Sequence, residues 1–256
     1  MVRDGRLSTK CMRDTISRAY LTESDACAII EAMKVYNDYP DVFEFDSLDS
    51  ASGSSWWNTL GARWVRVNLI TDCLGNTVGE SRTSQDLAGG ADRELLSMLR
   101  ADADVVLIGG ETVRSELNCI PRNKDVVIVS KSGNVPVRAI SRARGRITVL
   151  HDRSATPPSA TNGIVLRQFT GAAIIKAVRA LGYEKVVCEG GPTLARNLLK
   201  AQVVDEWCQT LSPKVGQRIP ELVAPDFGGT LVNVAHDDDG YRYLRWSRSG
   251  APLISA

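Results

Sequence analysis

Residues 92–114 read Asp92-Arg93-Glu94-Leu95-Leu96-Ser97-Met98-Leu99-Arg100-Ala101-Asp102-Ala103-Asp104-Val105-Val106-Leu107-Ile108-Gly109-Gly110-Glu111-Thr112-Val113-Arg114. Leu95, Met98 and Leu99 share one face at helical spacing, so a helix is expected from Asp92 to Arg100. Val105 to Ile108 is an unbroken apolar run, the pattern of a strand covered by helices on both faces of a parallel sheet. Gly109 and Gly110 then open a turn into the next helical stretch. Helix, buried strand, glycine turn and helix in succession specify an α/β layer structure.

Working outward, the alternation continues. Trp64 to Ile70, Val126 to Val129 and Ile147 to Leu150 read as strands. Ala172 to Leu181 reads as a helix with Ile174, Ile175, Val178 and Leu181 inward, and Lys185 to Cys188 as a strand feeding a Gly-Gly-Pro turn and a helix through Leu199. Strands separated by single helices give a mixed, mostly parallel sheet flanked by helices. Beyond Val204 the runs Trp207–Leu211, Thr230–Val234 and Tyr241–Trp246 carry little helical pattern and are expected as antiparallel strands at one edge. Residues 61–256 are expected to form one domain. Residues 1–60 differ: Thr22-x-x-Asp25 resembles a capping box, Ala26, Ile29, Ile30 and Met33 suggest a helix over about 23–36, and the Asp- and Ser-rich stretch 38–55 reads as a connection.

Composition narrows the function. With 31 Lys+Arg against 30 Asp+Glu, the 256 residues carry a formal charge of +1, unlike the basic stripe of a nucleic-acid binder. No apolar run approaches the roughly twenty residues needed to cross a bilayer. Six cysteines (Cys11, Cys27, Cys73, Cys119, Cys188, Cys208) include no C-x-x-C pair, and Met1 to Arg6 lacks a secretory apolar core, so reduced thiols in a cytoplasm are expected. Two histidines, His151 and His236, disfavour a multi-histidine metal site and most Ser-His-Asp schemes.

Two glycine turns follow buried strands: Gly109-Gly110-Glu111-Thr112 and Glu189-Gly190-Gly191-Pro192-Thr193-Leu194. Neither fits G-x-G-x-x-G or a P-loop. Each could be only a tight turn, but two at the carboxyl ends of strands in one sheet favour a ligand along that edge. Ser130-Lys131-Ser132 offers hydroxyls and an ammonium to an anion, or is a polar turn. His236-Asp237-Asp238-Asp239-Gly240 contains possible metal ligands but reads as a solvated hairpin loop. Arg100 either caps its helix end or binds an anion. Trp56-Trp57 is either buried against the main domain or an exposed contact patch.

Arg66-Val67-Asn68, Gly79-Glu80-Ser81-Arg82, Ala91-Asp92-Arg93, the stretch Leu99 to Glu116, Glu189-Gly190-Gly191-Pro192-Thr193-Leu194 and the run from Asp205 to Leu211-Ser212-Pro213 stand in a distinctive order. Together they resemble the C-terminal reductase domain of the bacterial riboflavin-biosynthesis deaminase-reductases, closest to the stand-alone actinobacterial pyrimidine reductase branch. The resemblance covers about 60–250 and implies a dihydrofolate-reductase-like fold that reduces a ribosylaminopyrimidine phosphate with NADPH. It implies cofactor contacts for Thr83, Gly109 and Gly110, for Thr112 and Glu116 at the nicotinamide end or its ribose, and for Ser130 and Lys131 at the 2′-phosphate. Backbone N–H groups of Gly190, Gly191, Pro192, Thr193 and Leu194 would cradle the pyrophosphate. Ser81, Arg100, Arg122 and Glu189 match substrate-contacting positions, and a homodimer through the apolar C-terminal strands is implied.

One stretch departs from the family. Its Ser-x-Asp-Gly turn is replaced here by Thr71-Asp72-Cys73-Leu74-Gly75-Asn76, with the acid two places upstream. Asp72 and Glu189 are therefore the expected catalytic acids, and Asp72 could instead cap its own turn. The departure leaves open a related heterocycle, a reductase-fold enzyme with other chemistry, or a module that binds NADP without turnover.

Overall fold

The computed structural model describes residues 61–216 and 227–248 together with the backbone of 35–39 and 43–45. Two compact units divide the chain, Met1–Glu31 and Ala32–Ala256, and every described residue lies in the second. Its strands are β1 (Val35–Tyr39), β2 (Phe43–Phe45), β3 (Trp64–Thr71), β4 (Val105–Gly109), β5 (Asp125–Val129), β6 (Ile147–His151), β7 (Asn162–Val165), β8 (Lys185–Cys188), β9 (Glu206–Leu211), β10 (Thr230–Asp237) and β11 (Arg242–Ser247). The helices are α1 (Asp92–Asp102), α2 (Gly110–Ser115), α3 (Val137–Ile140), α4 (Gly171–Ala180) and α5 (Pro192–Lys200).

The described strands form one sheet in the order β2-β1-β10-β11-β9-β3-β8-β4-β5-β6-β7. From β9 to β7 every neighbouring pair is parallel, and from β2 to β9 every pair is antiparallel. Strand alternation sends Trp64, Val106, Ile108, Ile128 and Val149 into a core with Leu95, Met98 and Leu99 of α1. Val65, Val67, Leu107 and Leu150 face a second core with Ile174 and Val178 of α4 and Leu198 of α5. Each fully buried aliphatic side chain contributes about 1.5–3 kcal/mol relative to exposure. Thr170 caps α4 by accepting the Ala173 N–H at 3.2 Å.

At the junction of the two halves, Glu206 of β9 accepts hydrogen bonds from Arg66 Nε on β3 and Arg245 Nε on β11. All three side chains are fully buried, and Arg66 lies over the Trp64 ring with 4.7 Å to its centroid. Arg245 also donates to Asn233 of β10 at 3.1 Å.

Several expectations need correction. Val35 and Tyr36, assigned to the end of a helix over 23–36, belong to β1; residues 23–34 lie outside the described residues, as do Cys11, Cys27 and Trp56-Trp57. The 38–55 connection contains the end of β1 and all of β2, so the sheet starts ahead of residue 61. Strand β9 is parallel to β3 and antiparallel only to β11. Both β9 and β11 are interior strands, so the dimer contact expected through their free edges has no free edge to use. The His236–Gly240 hairpin exists, but Asp237 is buried and accepts from Ala91 N–H, Asp239 N–H, Tyr241 N–H and the Tyr243 hydroxyl.

Candidate active site

Parallel strands β3, β8, β4 and β5 end side by side, and the chain leaves each at the same edge. Gly109 closes β4, and Glu189, Gly190 and Gly191 follow β8. The Gly109 N–H donates to the Gly190 carbonyl at 2.6 Å, stitching the two turns together, and the Gly190–Gly191 peptide is cis. A Cβ on Gly191 would stand 2.9 Å from the Thr112 hydroxyl, and one on Gly190, which has φ +86°, would stand 2.6 Å from Leu69 Cδ2. Packing against Thr112 at Gly191, and against Leu69 with a left-handed φ at Gly190, thus dictates these glycines, and it leaves backbone rather than side chain at the strand ends.

Glu189 receives both arms of Arg100: Nε donates to Oε1 and Nη2 to Oε2, each at 2.6 Å, while Nη2 also reaches the Cys119 carbonyl at 3.0 Å. Arg100 thus stands in the last turn of α1, which ends at Asp102, and spends its fork on the Glu189 anion. Burial works against its charge, and the Glu189 carboxylate outweighs burial to hold the guanidinium above its usual pKa. The neighbouring Cys119 thiol is pushed up to about 12 by burial and by the charges of Glu116 and Glu189.

Glu116 points its carboxylate at the preceding loop. It accepts the Ser84 N–H at 2.6 Å and the Ser84 hydroxyl at 2.9 Å, docking the 3-10 turn Ser84–Asp86 on the end of α2. Within that loop Asp86 accepts the Ser81 N–H and hydroxyl at 2.7 Å, and Ser81 and Thr83 hydroxyls lie 3.0 Å apart. Arg122 is exposed on the loop that carries Cys119.

Asp72 is used differently. Its carboxylate accepts N–H groups of Leu74 at 2.9 Å, Asn76 at 2.8 Å and Gly216 at 2.8 Å, and the Asn76 side-chain amide at 2.6 Å. Burial alone would raise its pKa, but these four donors outweigh it and hold the carboxyl below its ordinary value. The side chain organises its own turn and ties it to residue 216, while Leu74, at the family's acid position, is 69% exposed.

At the ends of β4, β5 and β6 opens a cleft of about 660 Å³, lined by Gly110, Glu111, Arg114, Val129, Ser130, Lys131, Ser132, Asp152 and Ser154. Ser130 is buried and donates to the Asn134 carbonyl at 3.3 Å, whereas Lys131 and Ser132 are exposed. In the second glycine turn Pro192 has no N–H to offer, and the Leu194 side chain is buried in the α4–α5 core. Pro192 therefore cannot join the cradle of N–H groups expected from Gly190 to Leu194, whereas burial of the Leu194 side chain leaves its backbone N–H in that expectation. Thr193 is exposed at the start of α5.

Sequence reading passed over three residues here. Asn68 on β3 and Thr210 on β9 are buried with Asn68 Oδ1 and Thr210 Oγ1 making no hydrogen bond by strict geometry among the described residues, although the Thr210 hydroxyl faces Asp92. Asp92, at the start of α1, is held above its ordinary pKa by burial, with Asp237 and Glu189 adding to the effect. The available signal was a polar residue at an inward position of an apolar strand, Asn68 in Trp64–Thr71. Among the described residues no cluster of three or more His, Cys, Asp or Glu side chains could hold a metal, and no helix is long and apolar enough to cross a membrane.

The mostly parallel sheet with antiparallel strands on one side is of the dihydrofolate-reductase-like fold. The sequence pattern of the RibD C-terminal domain matches residues 63–225, and the chain belongs to that family. Among solved structures, a pyrimidine reductase-like protein of Corynebacterium diphtheriae is 19% identical over 79% of this chain and 99% of its own, with a TM-score of 0.59. The diaminohydroxyphosphoribosylaminopyrimidine deaminase/5-amino-6-(5-phosphoribosylamino)uracil reductase of Thermotoga maritima is 18% identical over 73% of this chain, with a TM-score of 0.61; the match spans only 56% of that protein. The riboflavin biosynthesis reductase of Saccharomyces cerevisiae is 15% identical over 73% of this chain and 90% of its own, at 0.53. At these identities the likeness is one of fold. No curated protein matches the sequence.

Proposed function

We propose that the chain is an NADPH-dependent reductase acting on a pyrimidine-type or related heterocycle. The observation that carries the reading is the Arg100–Glu189 pair standing beside two stitched glycine turns. A carboxylate has about four lone-pair positions. Arg100 takes one on each oxygen, which leaves Glu189 fixed in orientation with acceptors free for the ring N–H groups of a heterocycle.

The residues present fit the cofactor. Gly109, Gly110, Gly190 and Gly191, packed on one another and on Ser130, Leu69 and Thr112, would present bare backbone to its diphosphate, and Ser130 and Lys131 would meet its 2′-phosphate in the cleft. Thr112 packs on the Gly191 turn and would hold that turn against the nicotinamide end. When bound, the cofactor supplies a hydride. This chain's part is to align the acceptor carbon through Glu189 and Arg100, and to close the site with the Glu116-docked loop that carries Ser81 and Thr83. Asp72 shapes its turn rather than moving a proton, so any proton donor lies elsewhere.

Calorimetric titration of the full chain with NADPH tests the cofactor half: saturable binding is expected, and its absence overturns the reading. NADPH oxidation followed across pyrimidine, pterin and imine acceptors tests the other half. Binding without oxidation of any of them would favour a non-catalytic NADP-binding module, which the committed Asp72 carboxylate leaves in view. The homodimer implied by the family resemblance would use a surface other than β9 and β11, and light scattering reads it as twice the 27.8 kDa chain mass.

A further inference from the structure

Arg114 belongs to no role assigned so far, yet its guanidinium stands in the cleft beside Ser130 and Lys131. Nη1 donates to the Asn134 carbonyl at 3.0 Å, the same oxygen that accepts the Ser130 hydroxyl. A shared acceptor therefore fixes one edge of the guanidinium next to Ser130. Gly110 makes this approach possible: a Cβ there would lie 2.7 Å from Ser130 Cβ and 3.2 Å from Arg114 Nη1.

The other edge of the fork faces Glu111, with Nη2 donating to Oε2 at 2.5 Å. Glu111 is three residues back on the same short helix, and its side chain is 86% exposed. An ion pair so open to water is weak and exchanges readily. The remaining acid of the cleft, Asp152, is engaged by the Ser154 N–H and hydroxyl at 3.0 and 2.8 Å. The cleft therefore holds two cations, Arg114 and Lys131, against two carboxylates: the exchangeable Glu111, and Asp152, which takes both Ser154 hydrogen bonds on Oδ1 and whose charge acts on Lys131. A phosphate dianion entering there would offer Arg114 two oxygens in the planar geometry its fork prefers, where Glu111 now gives one.

We propose that Arg114 is the second cation of the 2′-phosphate subsite, and that Glu111 occupies it until the phosphate arrives. The Glu111–Arg114 pair then sets how strongly the chain prefers NADPH to NADH. This rests on the cofactor reading above and adds a residue to it.

The test is calorimetric titration of the full chain with NADPH and with NADH for wild type, Arg114→Gln, Arg114→Lys and Glu111→Gln. Arg114→Gln should weaken NADPH by about ten- to a hundredfold and NADH by less than about twofold, the range of a lost charge-assisted contact. Arg114→Lys should recover part of the loss, because charge survives and the fork does not. Glu111→Gln should tighten NADPH a few-fold with NADH unchanged, since a competitor has gone. The NADPH affinity of wild type should also fall more steeply with salt than that of Arg114→Gln. Equal losses for both nucleotides in Arg114→Gln would make the residue a prop of the cleft wall and overturn the proposal. Unchanged NADPH affinity in a folded Arg114→Gln, judged by circular dichroism, would overturn it too. Wild type that binds neither nucleotide would instead sink the cofactor reading itself.

Discussion

Two acids follow parallel strands at one edge of the sheet, and the molecule spends them in opposite ways. Asp72 after β3 is surrounded by donors of its own turn and of Gly216, and its four hydrogen bonds leave the carboxylate nothing to offer a ligand. Glu189 after β8 is gripped by one side chain, Arg100, in a geometry that orients both oxygens and leaves acceptors open. An acid at a strand end is thus no more than a candidate. Whether backbone N–H groups or a single cation satisfies it decides between holding a loop and meeting a substrate.

The strongest way to break this contrast is Glu189→Gln, which keeps the shape and removes the charge. Turnover should fall by about a hundredfold or more, as expected for lost orientation of the reacting group, with NADPH affinity within about twofold of wild type. Steady-state kinetics beside cofactor titration reads it, and retained turnover would end the substrate-site assignment. Next in size is Gly191→Ala, whose new Cβ meets the Thr112 hydroxyl at 2.9 Å. Overpacking of this kind costs about 1–3 kcal/mol, and the double variant with Thr112→Ala should recover part of the lost thermal stability.

Asp72→Asn sharpens the other side of the comparison. It should lower stability by about 1–3 kcal/mol, or roughly 2–4 °C in melting temperature per kcal/mol, and leave kcat nearly unchanged. The sign with pH follows from a carboxyl whose pKa drops on folding. Its stabilisation is full above the unfolded value near 3.8 and is lost as pH falls through the lower folded value. The melting gap between wild type and Asp72→Asn should therefore be widest near neutrality and close in acid. Collapse of kcat at unchanged stability would restore Asp72 as a proton carrier. The smallest effect expected is for Ser84→Ala, which removes one of the two hydrogen bonds to Glu116 and should cost about 1 kcal/mol or less. Faster proteolytic nicking within residues 79–88 is the readout.

Much of the fold was legible because burial writes itself into apolar spacing. Leu95, Met98 and Leu99 on α1, the run Val105–Ile108 and the pattern of α4 all stand where their periods placed them. Strand β7 escaped because Asn162–Val165 is a mostly exposed outer strand in which only Ile164 packs inward, so its sequence carries no alternation. The order of strands was illegible for a different reason: β9 sits between β3 and β11, so its neighbours are not its neighbours in sequence. In the site, glycine turns and Glu189 could be read directly, since close backbone approach restricts residue type locally. The partners could not. Arg100 meets Glu189 across 89 residues, Asp72 meets Gly216 across 144, and Ser84 meets Glu116 across 32. Sequence shows which side chains can accept a hydrogen bond, and only the fold shows who donates it.

The Arg66–Glu206–Arg245 cluster acts as a register key for the junction of the parallel and antiparallel halves of the sheet. Strand β9 joins the parallel half of the sheet to the antiparallel half, and its one acid must meet an arginine from each side. Slipping β9 by a single residue would turn Glu206 to the opposite, apolar face and strand two guanidinium groups in the interior without their common acceptor. The C-terminal hairpin can therefore dock comfortably in one alignment only. Any other alignment is penalised twice, by misplaced charge and by lost apolar contacts.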